Sequence, residues 1–130
     1  MTKNRFERTR DDHRHEMAED YVELIETLLR ESGVARAVDL ADHLSVSQVT
    51  VSRTLRRLER DGYLTAPPYR TIQLTEKGAL LATKSRSRHD LVYRFLLRLG
   101  VAPETAESDA EGIEHHVSEE TLLAMKKYVG

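Results

Sequence analysis

The sequence predicts a mainly α-helical protein in which a single β-hairpin separates an N-terminal set of helices from a C-terminal set. Three observations carry that reading. Apolar residues recur at three- and four-residue intervals over most of the chain, Ser, Thr and Gly stand where those stretches start and stop, and the interruption around Pro67-Pro68 lies between short runs suited to strands. Hydrophobic residues make up 39% and charged residues 32%, with aromatics at 5% and no Trp, which suits a helix-rich protein with a modest core. A chain of 130 residues accommodates one compact unit or two small lobes.

Residues 1–12 are polar and read as a flexible tail. From about Arg14 to Ser32 the apolar positions Met17, Tyr21, Leu24, Ile25, Leu28 and Leu29 describe an amphipathic helix closed by Gly33. A short helix follows over Ala37 to Leu44. Ser45-Val46-Ser47 makes a turn, and a third helix runs from Gln48 to Asp61, with Ser47 as its N-cap. Tyr63-Leu64-Thr65 and Thr71-Ile72-Gln73-Leu74 read as strands flanking Pro67-Pro68-Tyr69-Arg70, a hairpin with a stiff tip. Helix, short helix, turn, helix and hairpin is a winged helix-turn-helix order. Thr75 is placed to cap a long helix to Leu99, stopped by Gly100, with Leu80, Leu91, Val92, Phe95, Leu96 and Leu99 apolar. Pro103 starts a further helix to about His116. Ser118 caps a last one bearing Leu122, Leu123, Met125 and Val129. The expected division is thus a winged helix-turn-helix domain over residues 13–74 and a helical domain over residues 75–130.

Several classes of function are excluded or demoted. No apolar run approaches the roughly 18–20 residues of a membrane span, and the N-terminus MTKNRFERTRDDHRHE has no apolar stretch of signal-peptide type, so a cytoplasmic location and no membrane partner are expected. The absence of Cys excludes disulfides, thiolate chemistry and cysteine-based metal sites. Any metal must sit on oxygen and imidazole. HExxH spacing, the P-loop and the Rossmann glycine pattern are all missing.

The net charge of −2 is unevenly spread: Arg53 to Arg60 holds four arginines against Glu59, whereas Pro103 to Glu120 holds seven acids and no Lys or Arg. At about 100° per residue, Val51, Leu55 and Leu58 share one helix face, while Val49, Arg53, Arg56, Arg57 and Arg60 lie mostly away from it. In a helix-turn-helix the second helix enters the major groove with its N-terminal turns near base edges. On that geometry Gln48, Val49, Thr50 and Arg53 approach bases, and Arg56, Arg57, Arg60, Tyr69 and Arg70 approach phosphates, with the capping Ser47 counted beside them in the DNA-binding surface. The bland alternative is a solvated helix face; the complete helix order, the Ser47 cap and the following hairpin weigh against it.

The stretch DAEGIEHHVSEE, residues 109–120, packs five carboxylates and two histidines together without a Lys or Arg. Glu111, Glu114 and His115 fall at i, i+3 and i+4, one face of a helix. Asp20 and Glu23 repeat the i, i+3 spacing on the first helix, and His89 stands on the outer side of the long helix. Four carboxylates with two imidazoles offer mostly hard and some borderline donors, suited to Mn2+ or Fe2+ and less diagnostic of Zn2+. A bound divalent pair would cancel the repulsion in this segment, so the uncompensated charge reads as a half-built cation site. Each piece alone is more often a solvated face. His43 and His116 read as surface or packing residues and His13 and His15 as tail residues, although spacing alone leaves His115 and His116 interchangeable.

The segments AEDYVELI, Ser-X-X-Thr-Val, RHDLVYRFLLRLGV and DAEGIEHHVS closely resemble the manganese transport regulator branch of the diphtheria-toxin-repressor family, over roughly Met17 to Glu120. The resemblance implies a homodimeric metal-dependent repressor that binds double-stranded operator DNA and controls manganese uptake genes. It also implies a pair of divalent ions per chain, held by Asp20, Glu23, His89, Glu111, Glu114 and His115, with Mn2+ as cofactor and Fe2+, Zn2+, Co2+ and Cd2+ as alternative occupants in vitro. It chooses His115 over His116. Asp20 falls where iron sensors carry Met, and a hard oxygen in place of a thioether suits manganese. The second domain becomes a metal-binding and dimerisation domain, tied by ligation to the DNA-binding lobe so that the two helix-turn-helix units of a dimer sit about 34 Å apart. Iron-sensing relatives add an SH3-like domain that this sequence lacks, which fits the manganese branch, and relatives often continue past Gly130.

Two other readings compete. An iron(II)- or zinc-responsive repressor of the same family would use the same residues. A di-metal carboxylate enzyme of ferritin-like type would draw Glu-x-x-His from two helices of a bundle. No Glu lies three residues before His89 or His115, and the helix-turn-helix would go unexplained, so no enzymatic activity and no small-molecule substrate are expected.

Overall fold

Helices begin and end where the sequence supplies caps and left-handed residues. The computed structural model describes residues 4–130. Among them, in order, are α1 (Arg5–Ser32), α2 (Ala37–Leu44), α3 (Gln48–Arg60), β1 (Leu64–Thr65), β2 (Gln73–Leu74), α4 (Glu76–Arg98), α5 (Pro103–Ile113), a 3-10 turn (Glu114–His116) and α6 (Glu119–Val129). The chain divides into two compact units, residues 17–83 on the one hand and, on the other, residues 84–130 with the chain up to Glu16. Both boundaries fall inside a helix, α1 and α4.

One expectation changes. Of the tail expected at 1–12, residues 1–3 lie outside the described residues, and the rest from Arg5 onward is helical. The reason is a capping box: Asn4 Oδ1 accepts from the Glu7 N–H at 2.8 Å, and Glu7 Oε2 accepts from the Asn4 N–H at 3.4 Å. By its contacts the start of α4, up to Thr83, groups with the helices and hairpin before it, because it is bound to the hairpin. The Thr75 N–H donates to the Tyr63 carbonyl at 3.1 Å and the Thr75 hydroxyl to the Gly62 carbonyl at 2.6 Å. Thr75 Oγ1 also accepts from the Gly78 N–H at 3.1 Å, the expected cap. A Cβ at residue 78 would stand 2.0 Å from the Tyr63 carbonyl oxygen, so only glycine allows this approach.

The unit of residues 17–83 is a winged helix-turn-helix. Tyr21, Ile25 and Leu28 of α1, Leu40 and Ala41 of α2, Val51, Leu55 and Leu58 of α3, and Leu64 and Ile72 of the wing form one buried cluster. Ser45, at φ 57°, turns the chain out of α2. The wing is short: Leu64 pairs with Leu74 and Thr65 with Gln73, antiparallel. It is anchored to the end of α1 through Ala35, whose N–H donates to Thr71 Oγ1 at 2.8 Å and whose carbonyl accepts from the Ile72 N–H at 2.8 Å.

The other unit has a smaller core of Val92, Ala110 and Leu122, with Leu91, Tyr93, Leu96, Val117 and Met125 packed against it. Phe95 and Tyr128 meet edge to face at 5.4 Å. Ser118 caps α6, its hydroxyl accepting from the Thr121 N–H at 3.2 Å. Leu80, Leu99 and Leu123, counted above among apolar helix positions, are exposed.

Candidate metal centre and nucleic-acid interface

The inner face of α3 is fixed by Val51, Thr54, Leu55 and Leu58, all buried, and that phase turns the opposite face outward. Ser47 caps the helix by accepting from the Thr50 N–H at 3.1 Å. Gln48, Thr50, Arg53, Arg56 and Arg60 are exposed, and Val49 is 66% exposed. Arg57 departs from expectation: it is half-buried, with Nη2 enclosed, because it lies beside Thr54 at the edge of the packed face. Thr50, Arg53, Thr54, Arg56, Arg57 and Arg60 line a hollow of about 480 Å³. Arg60 is partly engaged with Asp61 at 3.6 Å.

A second groove, of about 540 Å³, lies between α3 and the wing, with Arg36, Arg56 and Arg70 among its walls. At the wing tip Tyr69 is fully exposed and holds φ 61°, the left-handed region that costs a non-glycine residue roughly 1–2 kcal/mol. Among the described residues lining that groove the one acid is Glu59, whose Oε2 accepts from the Ala66 N–H at 3.1 Å and so helps to hold the wing.

The acidic centre is built differently. α5 stops at Ile113 and runs directly into the 3-10 turn that supplies Glu114 and His115; the backbone stays helical there, with φ −63° and ψ −40° at Ile113 and φ −57° and ψ −30° at Glu114, so Glu114 follows Glu111 at a three-residue interval. Glu114 is buried at 2% exposure, His115 is nearly enclosed, and Glu111 stays exposed on α5. His89 does not face outward as expected. Its side chain is 20% exposed and turned toward Glu107 and Glu114: Nδ1 is 3.4 Å from Glu114 Oε1, and Nε2 is 2.9 Å from Glu107 Oε1. His115 Nε2 lies 3.9 Å from the same Glu114 oxygen. Burial depresses the His89 pKa, but the hydrogen bond to Glu107 and the charges of Glu114 and Glu107 outweigh it and leave the imidazole above its ordinary range.

The structure thus brings His89, Glu114 and His115 together. Asp20 and Glu23 are half-buried, one turn apart on α1. His116 is the more exposed of the two adjacent histidines and pairs with Glu16 at 3.3 Å. Sequence reasoning missed Glu16 and Glu107. Glu16 Oε and a His115 ring nitrogen come within 4.8 Å. A signal was present: Glu16, Asp20 and Glu23 repeat at i, i+4 and i+7, and so do Glu107, Glu111 and Glu114. The donors are carboxylate and imidazole throughout, a set that fits a hard to borderline divalent cation.

Comparison with known proteins agrees with both halves. The iron dependent repressor N-terminal DNA binding domain matches residues 14–72, and the iron dependent repressor metal binding and dimerisation domain matches residues 75–130. The transcriptional regulator MntR of Escherichia coli O6:H1 is 53% identical over 123 residues, covering 95% of this chain and 79% of the relative. The HTH-type transcriptional regulator MntR of Lysinibacillus sphaericus is 42% identical over 100 residues, covering 77% and 72%. Among solved structures, a manganese-dependent transcriptional repressor in complex with manganese superposes with TM-score 0.77 at 29% identity over 87% of this chain, and the manganese regulator SloR with TM-score 0.74 at 26% identity over 86%. The chain spans about half the length of those two structures, 52% and 53%. Among the described residues no helix is long and apolar enough to cross a membrane. The chain belongs to the iron-dependent, or diphtheria-toxin, repressor family, in the branch of the MntR transcriptional regulators.

Proposed function

We propose that the protein is a manganese(II)-responsive transcriptional repressor, acting in the cytoplasm as a homodimer on operator DNA of manganese uptake genes. The observation that carries this reading is the buried Glu114 carboxylate flanked by His89 and His115 in the same chain as an outward arginine face on α3. A buried carboxylate between two imidazoles is poor packing material but a good start for a divalent site, since a cation replaces lost hydration.

In this reading Asp20 and Glu23 of α1, His89 of α4, Glu111 of α5, and Glu114 and His115 of the 3-10 turn hold two Mn2+ per chain. The bound ions supply positive charge to these carboxylates. Because α1 also contributes Tyr21, Ile25 and Leu28 to the core beneath the helix-turn-helix, fixing Asp20 and Glu23 narrows the freedom of the DNA-binding unit. Metal and DNA binding are then reciprocally coupled, each strengthening the other by the same factor. Gln48, Val49, Thr50 and Arg53 read bases, while Arg56, Arg60, Tyr69 and Arg70 hold phosphates.

The test has two parts. Equilibrium dialysis with spin-resonance detection is expected to give two Mn2+ per chain, with loss or altered metal preference in Asp20→Met. Selection from a random duplex library is expected to enrich one sequence with Mn2+ present and none after chelation. Enrichment that ignores Mn2+ but follows Fe2+ or Zn2+ would reassign the metal, and the absence of both metal and DNA binding would remove the reading.

A further inference from the structure

Both ring nitrogens of His89 are occupied by carboxylates of different character. Nε2 meets Glu107 at 2.9 Å, on the exposed side of α5, where the Glu107 side chain is 56% accessible. Nδ1 faces Glu114 at 3.4 Å, where the carboxylate is 3% accessible. An imidazole binds a cation through one nitrogen only, and the other then keeps its proton and needs an acceptor. The buried carboxylate is the one placed to share a cation with His89; the exposed one is placed to hold the remaining N–H.

We propose that Glu107 is a positioning residue of the metal centre: by accepting from His89 Nε2–H it fixes the ring's tautomer and rotation, so that Nδ1 is the nitrogen presented beside Glu114. The inference rests on the metal-sensor reading and adds to it a residue outside the six proposed ligands. Glu107 acts through His89 and does not itself meet the ion. Its place on α5 at i−4 from Glu111 and i−7 from Glu114 puts it on the helix face that runs toward the 3-10 turn, so the fold brings it to His89 without a dedicated loop.

The test compares the wild-type protein with Glu107→Ala and Glu107→Gln. Glu107 is exposed, so both variants are expected to fold, which circular dichroism checks. Mn2+ binding measured by spin resonance is expected to weaken about 10-fold in Glu107→Ala, the lower end of the range for outer partners of a ligating His. Glu107→Gln, which keeps an acceptor oxygen, is expected to recover most of it. In 15N-labelled protein loaded with 113Cd2+, the cadmium coupling is expected at His89 Nδ1, with Nε2 retaining its bound proton. Equal Mn2+ affinity in wild type and Glu107→Ala, or cadmium coupling at Nε2, would overturn the inference while leaving the sensor reading intact. A wild-type protein that binds no Mn2+ would overturn both.

Discussion

The outward face of α3 and the surroundings of Glu114 are both charged, but they are charged in opposite environments. On α3, Arg53, Arg56 and Arg60 stand in water, where like charges are screened within about 10 Å and cost little when no partner is present. Around Glu114, one enclosed carboxylate oxygen is approached by two imidazoles, and every charge there has been taken largely out of water. An exposed surface can wait for its ligand unchanged; an enclosed cluster cannot lose a member without a neighbour being left uncompensated. Substitutions should therefore act locally and on DNA alone in the first region, and on metal binding as a whole in the second.

The largest expected effect lies at the enclosed oxygen. Glu114→Gln is expected to reduce Mn2+ affinity by more than about 100-fold, beyond the range seen for outer-sphere partners, while the metal-free protein keeps its helical circular dichroism; near-normal manganese binding by spin resonance would remove Glu114 from the centre. Next comes the inner face of α3. Leu58, 1% exposed, is expected to cost about 3 kcal/mol as Leu58→Ala, within the range for buried leucines, read from thermal or urea melts. On the outer face of the same helix, Arg53→Ala is expected to change stability by less than about 0.5 kcal/mol but to weaken specific DNA binding by about 1–3 kcal/mol. Unchanged operator affinity would take Arg53 off the readout surface. The smallest effect is at the wing tip. Tyr69→Gly relieves the left-handed conformation and is expected to move stability by no more than about 1 kcal/mol, with a modest loss of DNA affinity; a large loss of stability would mean that Tyr69 packs where it stands exposed.

The two regions were also unequally legible. Every residue expected on the outer face of α3 is there except Arg57, and the exception is instructive. A helical wheel places Arg57 outward, but Thr54 widens the packed face and draws the arginine to its edge. For the acidic centre, the residue types were legible and their arrangement was not. Glu111, Glu114 and His115 keep their helical spacing through the 3-10 turn, but the packing around them buries Glu114 and leaves Glu111 exposed. His89 looked solvent-facing from its own helix because nothing in α4 announces Glu107, eighteen residues on, as its partner. The N-terminal helix was missed for a local reason, the Asn4–Glu7 capping box being outweighed by a polar composition.

By itself the sequence determined what short-range physics can determine: helix phase from apolar spacing, helix ends from Ser47, Thr75 and Ser118, the wing from its prolines, and a metal chemistry confined to oxygen and imidazole. The tertiary structure decided which of the charged residues are enclosed and which nitrogen of His89 faces which carboxylate. Those outcomes depend on packing between segments distant in the chain, and the same Glu is a solvated acid or a buried one according to what is laid against it.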